Sequence, residues 1–221
     1  MALELSLLVD VSGSVSNAEY LTQRGGYAAA FRNAGIQALI ASKPGGIAVN
    51  YIEWSGAVQQ DEQIAWTQIT GAASANAFAD ALDAVTRAFN GTTAPGSAIN
   101  FAVPLFTNNF EGAREVIDVS GDGVQNSGAD TSDARDAALA AGIDAINGLA
   151  IGGNVITTFY QNNIQGGAGS FTLGVNDFTD FPPAVLDKIG REIVTVSEPA
   201  SISLLAWVLV ALAFMRRRRA G

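Results

Sequence analysis

Runs of strand length at residues 3–9, 45–54, 114–120 and 145–151 alternate with segments of helical spacing, and that alternation admits few folds. Parallel neighbours cannot be joined by a tight hairpin. The chain must return through a crossover, usually a helix, so the pattern predicts an α/β domain. The expected architecture is Rossmann-like and doubly wound, a mainly parallel sheet flanked by helices. The first run, LELSLLV, is almost continuously apolar and suits a central strand buried on both faces. Weaker strand character is expected at 64–69 and 171–175. Helices are expected over 18–32, 75–89, 97–106, 131–141 and 181–193, the last entered through Pro182 and Pro183. Residues 121–131 and 161–170 read as loops.

Composition narrows the chemistry. The 221 residues suffice for one well-packed domain and a short appendage. The chain contains no histidine and no cysteine, which removes thiolate nucleophiles, imidazole acid/base pairs, disulfides and the usual zinc, haem and iron–sulfur ligands. Any metal must be held by oxygen, which favours Mg²⁺, Ca²⁺ or Mn²⁺. The formal charge is −9, yet four of the 12 basic residues are Arg216, Arg217, Arg218 and Arg219. Setting those aside leaves eight basic against 21 acidic residues, a charge of −13. Such a body repels phosphate backbones, so nucleic acid is not an expected partner.

The first strand runs into Asp10-Val-Ser-Gly-Ser14. A carboxylate and two hydroxyls at alternating positions can converge on one hard cation, and Gly13 permits the tight backbone path. The same stretch also reads as a strand followed by a helix cap supplied by Ser14 or Ser16. Further along come Gly91-Thr-Thr-Ala-Pro-Gly-Ser-Ala-Ile99 and Ser120-Gly-Asp-Gly123. In this order the three segments resemble the von Willebrand factor A domain over roughly residues 3 to 193.

That family has a metal-ion-dependent adhesion site built from an Asp-x-Ser-x-Ser turn, a Thr from a second loop and an Asp from a third. Carried onto this chain, the resemblance implies Asp10, Ser12, Ser14, Thr93 and Asp122 as ligands of Mg²⁺, or of Ca²⁺ or Mn²⁺. Thr92 is the rival to Thr93. Family sites often read Thr-Asp-Gly in the third loop, whereas this chain places Gly121 between Ser120 and Asp122. Asp118, inside an apolar strand, needs a partner. It either accepts hydrogen bonds from the site's hydroxyls or pairs with Arg87, Arg114 or Arg135.

The C-terminal segment carries its own pattern: Ser197-Glu198-Pro199, an apolar run over 202–215, then four arginines. This resembles the PEP-CTERM sorting signal of Gram-negative bacteria, with Ser197 where that motif has proline. Fourteen helical residues span about 21 Å, short of the roughly 30 Å hydrocarbon core. Snorkelling arginines help such a helix fit. The resemblance implies processing by an exosortase membrane protease. The expected organisation is a von Willebrand-type domain over 1–195, a Ser-Glu-Pro linker over 196–201, a transmembrane helix over 202–215 and a basic cytoplasmic tail over 216–221. The arginines hold the C-terminus in the cytoplasm and put the domain on the periplasmic or extracellular side. That topology calls for a signal peptide ahead of Met1, trimmed or lost from the assigned start.

The functional expectation is a non-enzymatic, cation-dependent adhesion module on the bacterial envelope. It would grip an acidic side chain of a protein partner through the metal. Two alternatives stand beside it: an accessory subunit of an envelope enzyme or assembly complex, and a structural surface or matrix protein.

Overall fold

A computed structural model of the protein describes residues 1–195. The sorting motif, membrane helix and basic tail expected over 196–221 lie outside the described residues. Among the described residues no helix is long and apolar enough to cross a membrane.

Seven strands form one mixed sheet. In chain order the strands are β1 (Leu3–Asp10), β2 (Ile47–Trp54), β3 (Gln60–Ile69), β4 (Glu115–Gly121), β5 (Ala145–Ile151), the two-residue β6 (Gly166–Gly167) and β7 (Thr172–Val175). Across the sheet the order is β3-β2-β1-β4-β5, and β5 offers its outer edge to β6 at one end and β7 at the other. Strands β2, β1, β4, β5 and β7 are parallel; β3 folds back antiparallel on β2 through a hairpin. The chain leaves β1 for β2 on one side and returns to β4 on the other. The carboxyl ends of β1 and β4 therefore flank the switch point, where ligands of open α/β sheets bind.

Strand β1 is buried along its whole length, as its composition demands. Its period-two alternation divides the core. Leu3, Leu5, Leu7 and Val9 join a cluster with Tyr27 and Phe31 of α1 (Asn17–Arg32), Ile36 and Ile40 of α2 (Ala34–Ala41), Phe78 and Leu82 of α3 (Ala72–Ala84), and Phe181, Val185 and Ile189 of α7 (Phe181–Val194). Leu8 faces the other layer, with Ala98 and Ile99 of α4 (Pro95–Ala102) and Ala134 and Ala138 of α5 (Thr131–Ala140). Tyr160 and Ile164 complete that layer from the wide turn Tyr160–Ile164, which continues α6 (Asn154–Phe159).

Three departures from the sequence-based expectation have physical causes. The expected loop at 161–170 starts with the wide helical turn that continues α6, because Tyr160 and Ile164 are fully buried and pin that short segment to the sheet. Helix α2 was not anticipated; Asn33 ends α1 and also caps α2, its Oδ1 accepting from Gly35 N at 2.8 Å. Helix α3 stops at Ala84, short of the expected Phe89, and Val85 is extended. Beyond it the side chain of Arg87 is committed to the loop after β1, as described below.

Asp118 finds a partner that its sequence neighbourhood did not suggest. Lys188 of α7 reaches β4 and pairs with it, in place of Arg87, Arg114 or Arg135. The same ammonium contacts Glu192 at 2.8 Å, and Asn147 of β5 donates to Glu192 at 3.0 Å. All four residues are buried. This network lies on the layer opposite the Asp10 side chain and ties α7 to the sheet.

Candidate metal centre

Each candidate side chain is placed by a strand end or a braced loop. Asp10 is the last residue of β1, and its side chain is fully buried. The turn that follows is held from within by Ser12 N donating to Asp10 Oδ1 at 2.7 Å. It is held from outside by Gly13 N donating to Gly91 O at 2.8 Å. Ser16 then closes the turn as the cap of α1. Glu19 N donates to Ser16 Oγ at 3.3 Å and Ser16 N to Glu19 Oε2 at 2.8 Å, a reciprocal capping box. With Ser16 as the cap, Ser12 and Ser14 are left to face each other, Oγ to Oγ at 3.1 Å.

The second loop is settled by its own hydrogen bonds. Thr93 turns inward, 5 % exposed, with Oγ1 3.4 Å from Ser12 Oγ. Its N–H donates to Asn126 Oδ1 at 2.8 Å, and its carbonyl accepts from Asn126 N at 3.0 Å. Thr92 turns away, its hydroxyl paired with Ser127 Oγ at 2.7 Å. Ser55, just beyond β2, supports the same loop: its hydroxyl donates to Thr92 O at 2.9 Å and accepts from Gly91 N at 2.8 Å.

Asp122 follows β4 directly and accepts a 2.6 Å hydrogen bond from Ser14 at Oδ1. The residue before it explains the departure from Thr-Asp-Gly. In the sheet register Val9 faces Ser120, which sets Gly121 beside Asp10. A Cβ on Gly121 would lie 2.6 Å from the Tyr160 hydroxyl, 2.7 Å from Asp10 Oδ2 and 2.8 Å from Asp10 Cβ. Only glycine leaves that space to the aspartate.

All five expected residues therefore converge on one spot, from three segments brought together by the parallel order β2-β1-β4. Spacing analysis did not assign a role there to Arg87. Its Nη2 lies 2.9, 2.8 and 2.8 Å from the carbonyl oxygens of Val11, Ser12 and Val15, and its Nε donates to Phe89 O at 2.9 Å. The guanidinium staples the Asp10 turn from below. No sequence signal marks it, because the helical pattern of 75–89 absorbs it.

The electrostatics are unbalanced. Burial pushes the Asp10 carboxyl up to about 7, opposed by hydrogen bonds from Ser12 and assisted by the nearby Asp122 charge. Asp122 is raised as well, mainly by burial, with Ser14 opposing and Glu19 adding to the rise. Asp10 Oδ2 is buried and accepts no hydrogen bond. A buried carboxylate oxygen without a partner costs about 1–3 kcal/mol or more. The donor set is two carboxylates and three hydroxyls, all oxygen, of the type that hard divalent cations take. Among the described residues no three acidic, histidine or cysteine side chains gather to offer a different metal site.

Solved structures share the fold. Proximal thread matrix protein 1 from the mussel byssus, in a form with a zinc-occupied MIDAS motif, aligns with a TM-score of 0.64 at 16% identity. The alignment covers 86% of this chain and 45% of that one. A von Willebrand factor type A protein from Catenulispora acidiphila aligns at 0.57 and 13%, covering 87% and 42%. The pilus adhesin SpaC from Lactobacillus rhamnosus GG aligns at 0.60 and 14%, covering 87% and 30%. The chain thus spans less than half the length of each of these three structures, and the likeness establishes a von Willebrand factor A type of α/β fold. No curated protein matches the sequence. The family model described as "Protein of unknown function (DUF1194)" matches residues 1–197, and the chain belongs to that family.

Proposed function

We propose that the protein is a divalent-cation-dependent protein-binding module, without catalytic activity of its own, that works on the bacterial envelope. Asp10, Ser12, Ser14, Thr93 and Asp122 hold the cation, with Mg²⁺ first and Ca²⁺ or Mn²⁺ as alternatives. The observation that carries this reading is Asp10 Oδ2, a buried carboxylate oxygen with no partner, in a site where the side chains of Ser12, Ser14, Thr93 and Asp122 contact one another. When bound, the cation supplies counter-charge to the two carboxylates and a coordination position for an acidic side chain of the partner. Ser14 is exposed and Ser12 and Thr93 are buried, so the cradle is rigid below and open above. The lack of histidine and cysteine supports binding over catalysis.

The envelope location rests on the tail, whose Ser-Glu-Pro, apolar and arginine segments resemble a sorting signal processed by an exosortase. It also agrees with the fold shared by a pilus adhesin. A second reading, a structural surface or matrix protein, draws on the fold shared with a thread matrix protein.

Titration of Mg²⁺, Mn²⁺ and Ca²⁺ into the full-length chain by calorimetry tests the cradle. Saturable uptake is expected for the native chain and none for Asp10→Asn, which keeps the shape and removes the charge. Equal heats from both proteins would sink the metal site.

A further inference from the structure

Four of the five large apolar side chains exposed among the described residues stand at one end of the molecule, the end that carries Asp10 and Asp122. Val58, 92 % exposed, is in the hairpin turn between β2 and β3. Val124 follows Asp122 by two residues. Val155, 75 % exposed, is the second residue of α6, just beyond β5, and Leu21 lies in the second turn of α1. The fifth, Val194, ends α7 at the opposite pole.

Contacts join the segments that bear two of these residues to the cradle, and Val124 adjoins Asp122 in sequence. The turn bearing Val58 packs on the third loop: Ala57 Cα is 3.3 Å from where a Cβ on Gly128 would be. Thr92, next to Thr93, bonds Ser127 of that same loop at 2.7 Å. The segment leading to Val155 passes Asp122, whose carbonyl oxygen is 3.9 Å from the Cβ position of Gly152. Aliphatic side chains scattered singly on a surface need no explanation, but four large ones at the end that carries Asp10 and Asp122 give that end apolar surface for a partner to cover. Acidic residues also stand at this end, with Glu19, Asp61, Asp130, Asp133 and Asp177 on its loops and element starts. Its nearest guanidinium, on Arg87, is occupied by backbone carbonyls.

We infer that this face receives a protein segment in which one carboxylate is flanked by aliphatic residues rather than by further acids. The inference rests on the cation reading above: one carboxylate meets the metal, and the valine rim covers apolar neighbours. The outer acidic residues repel any additional negative charge, so selectivity includes a repulsive element.

Fluorescein-labelled peptides GLELG, GSESG and GDEDG, titrated against the full-length chain in Mg²⁺ by anisotropy, test it. GLELG is expected to bind about tenfold more tightly than GSESG, with GDEDG weakest. Val58→Ser combined with Val124→Ser abolishes the preference while calorimetric Mg²⁺ uptake stays unchanged. Val155→Ser, on another element, reduces it, which guards against a local folding fault in one loop. Equal binding of GLELG and GSESG, or no binding of either by a chain that takes up Mg²⁺, overturns the rim and leaves the cation reading intact. A preference for GLELG that survives both chelation and Asp10→Asn supports the rim and overturns the cation reading.

Discussion

Lys188 and Asp118 form an ion pair between α7 and β4 with neither side chain exposed to solvent. Glu192 shares the same ammonium. Removing the cation leaves two carboxylates buried together, and breaking a buried pair in this way costs about 3–5 kcal/mol. Lys188→Met is therefore expected to lower stability by about that amount at pH 8 and by less at pH 5, where the carboxyls can take up protons. Urea unfolding at both pH values measures it. A loss equal at the two values would mean that packing, not charge, sets the cost.

Glu192 makes the folded chain sensitive to pH in a defined direction. Burial, helped by the Asp118 charge and opposed by Lys188, raises its carboxyl from 4.5 to about 7. Between those values the folded state keeps a proton that the unfolded chain releases, so stability falls as pH rises through the window and levels off above 7. Glu192→Gln removes this contribution. Its thermal midpoint is expected to overtake the native one progressively from pH 5 to pH 7.5. Parallel curves for the two proteins would contradict the assignment.

Gly121→Ala places a methyl group against Asp10 and Tyr160, both in rigid surroundings. Overpacking of this kind costs about 1–3 kcal/mol, and the displaced Asp10 should also lose its Mg²⁺-induced thermal shift. Gly25→Ala is the contrast: the new Cβ meets nothing within 4 Å in the middle of α1. It is expected to stabilise by about 0.5–1 kcal/mol and to leave the Mg²⁺ shift unchanged. Differential scanning fluorimetry with and without Mg²⁺ reads both.

Arg87 braces the Asp10 turn through three carbonyls, which a compact ammonium cannot reproduce with the same planar geometry. Arg87→Ala is expected to weaken Mg²⁺ binding by about 10–100-fold, the range seen when residues supporting metal ligands are lost. Arg87→Lys should recover only part of it. Calorimetric affinities unchanged in both variants would remove the brace from the account of the site.

Much of this molecule is visible in its linear pattern. The apolar runs at 3–9, 45–54, 114–120 and 145–151 all became strands of the parallel part of the sheet, because continuous apolar stretches of that length have few other places to be buried. The five candidate residues sit at strand ends or in the loops beside them, where α/β connectivity gathers polar groups. Less visible were segments whose conformation depends on distant contacts. Residues 85–89 carry a helical pattern yet lie outside the helix, and the side chain of Arg87 binds the carbonyls of the Asp10 turn instead of lining a helix face. Tyr160 fixes its turn against the sheet through burial in the core, a contact that no local pattern announces.

Local periodicity therefore determined the fold class, since burial of short apolar runs follows from short-range pattern and chain connectivity, and the order of three polar motifs, through their resemblance to a metal-ion-dependent adhesion site, pointed to the segments that meet. The tertiary structure decided what pattern alone leaves open: which of Thr92 and Thr93 turns toward Ser12, the need for glycine at 121, and Lys188 as the partner of Asp118. Each depends on residues far apart in the chain reaching hydrogen-bonding or van der Waals distance, and no one-dimensional period encodes that.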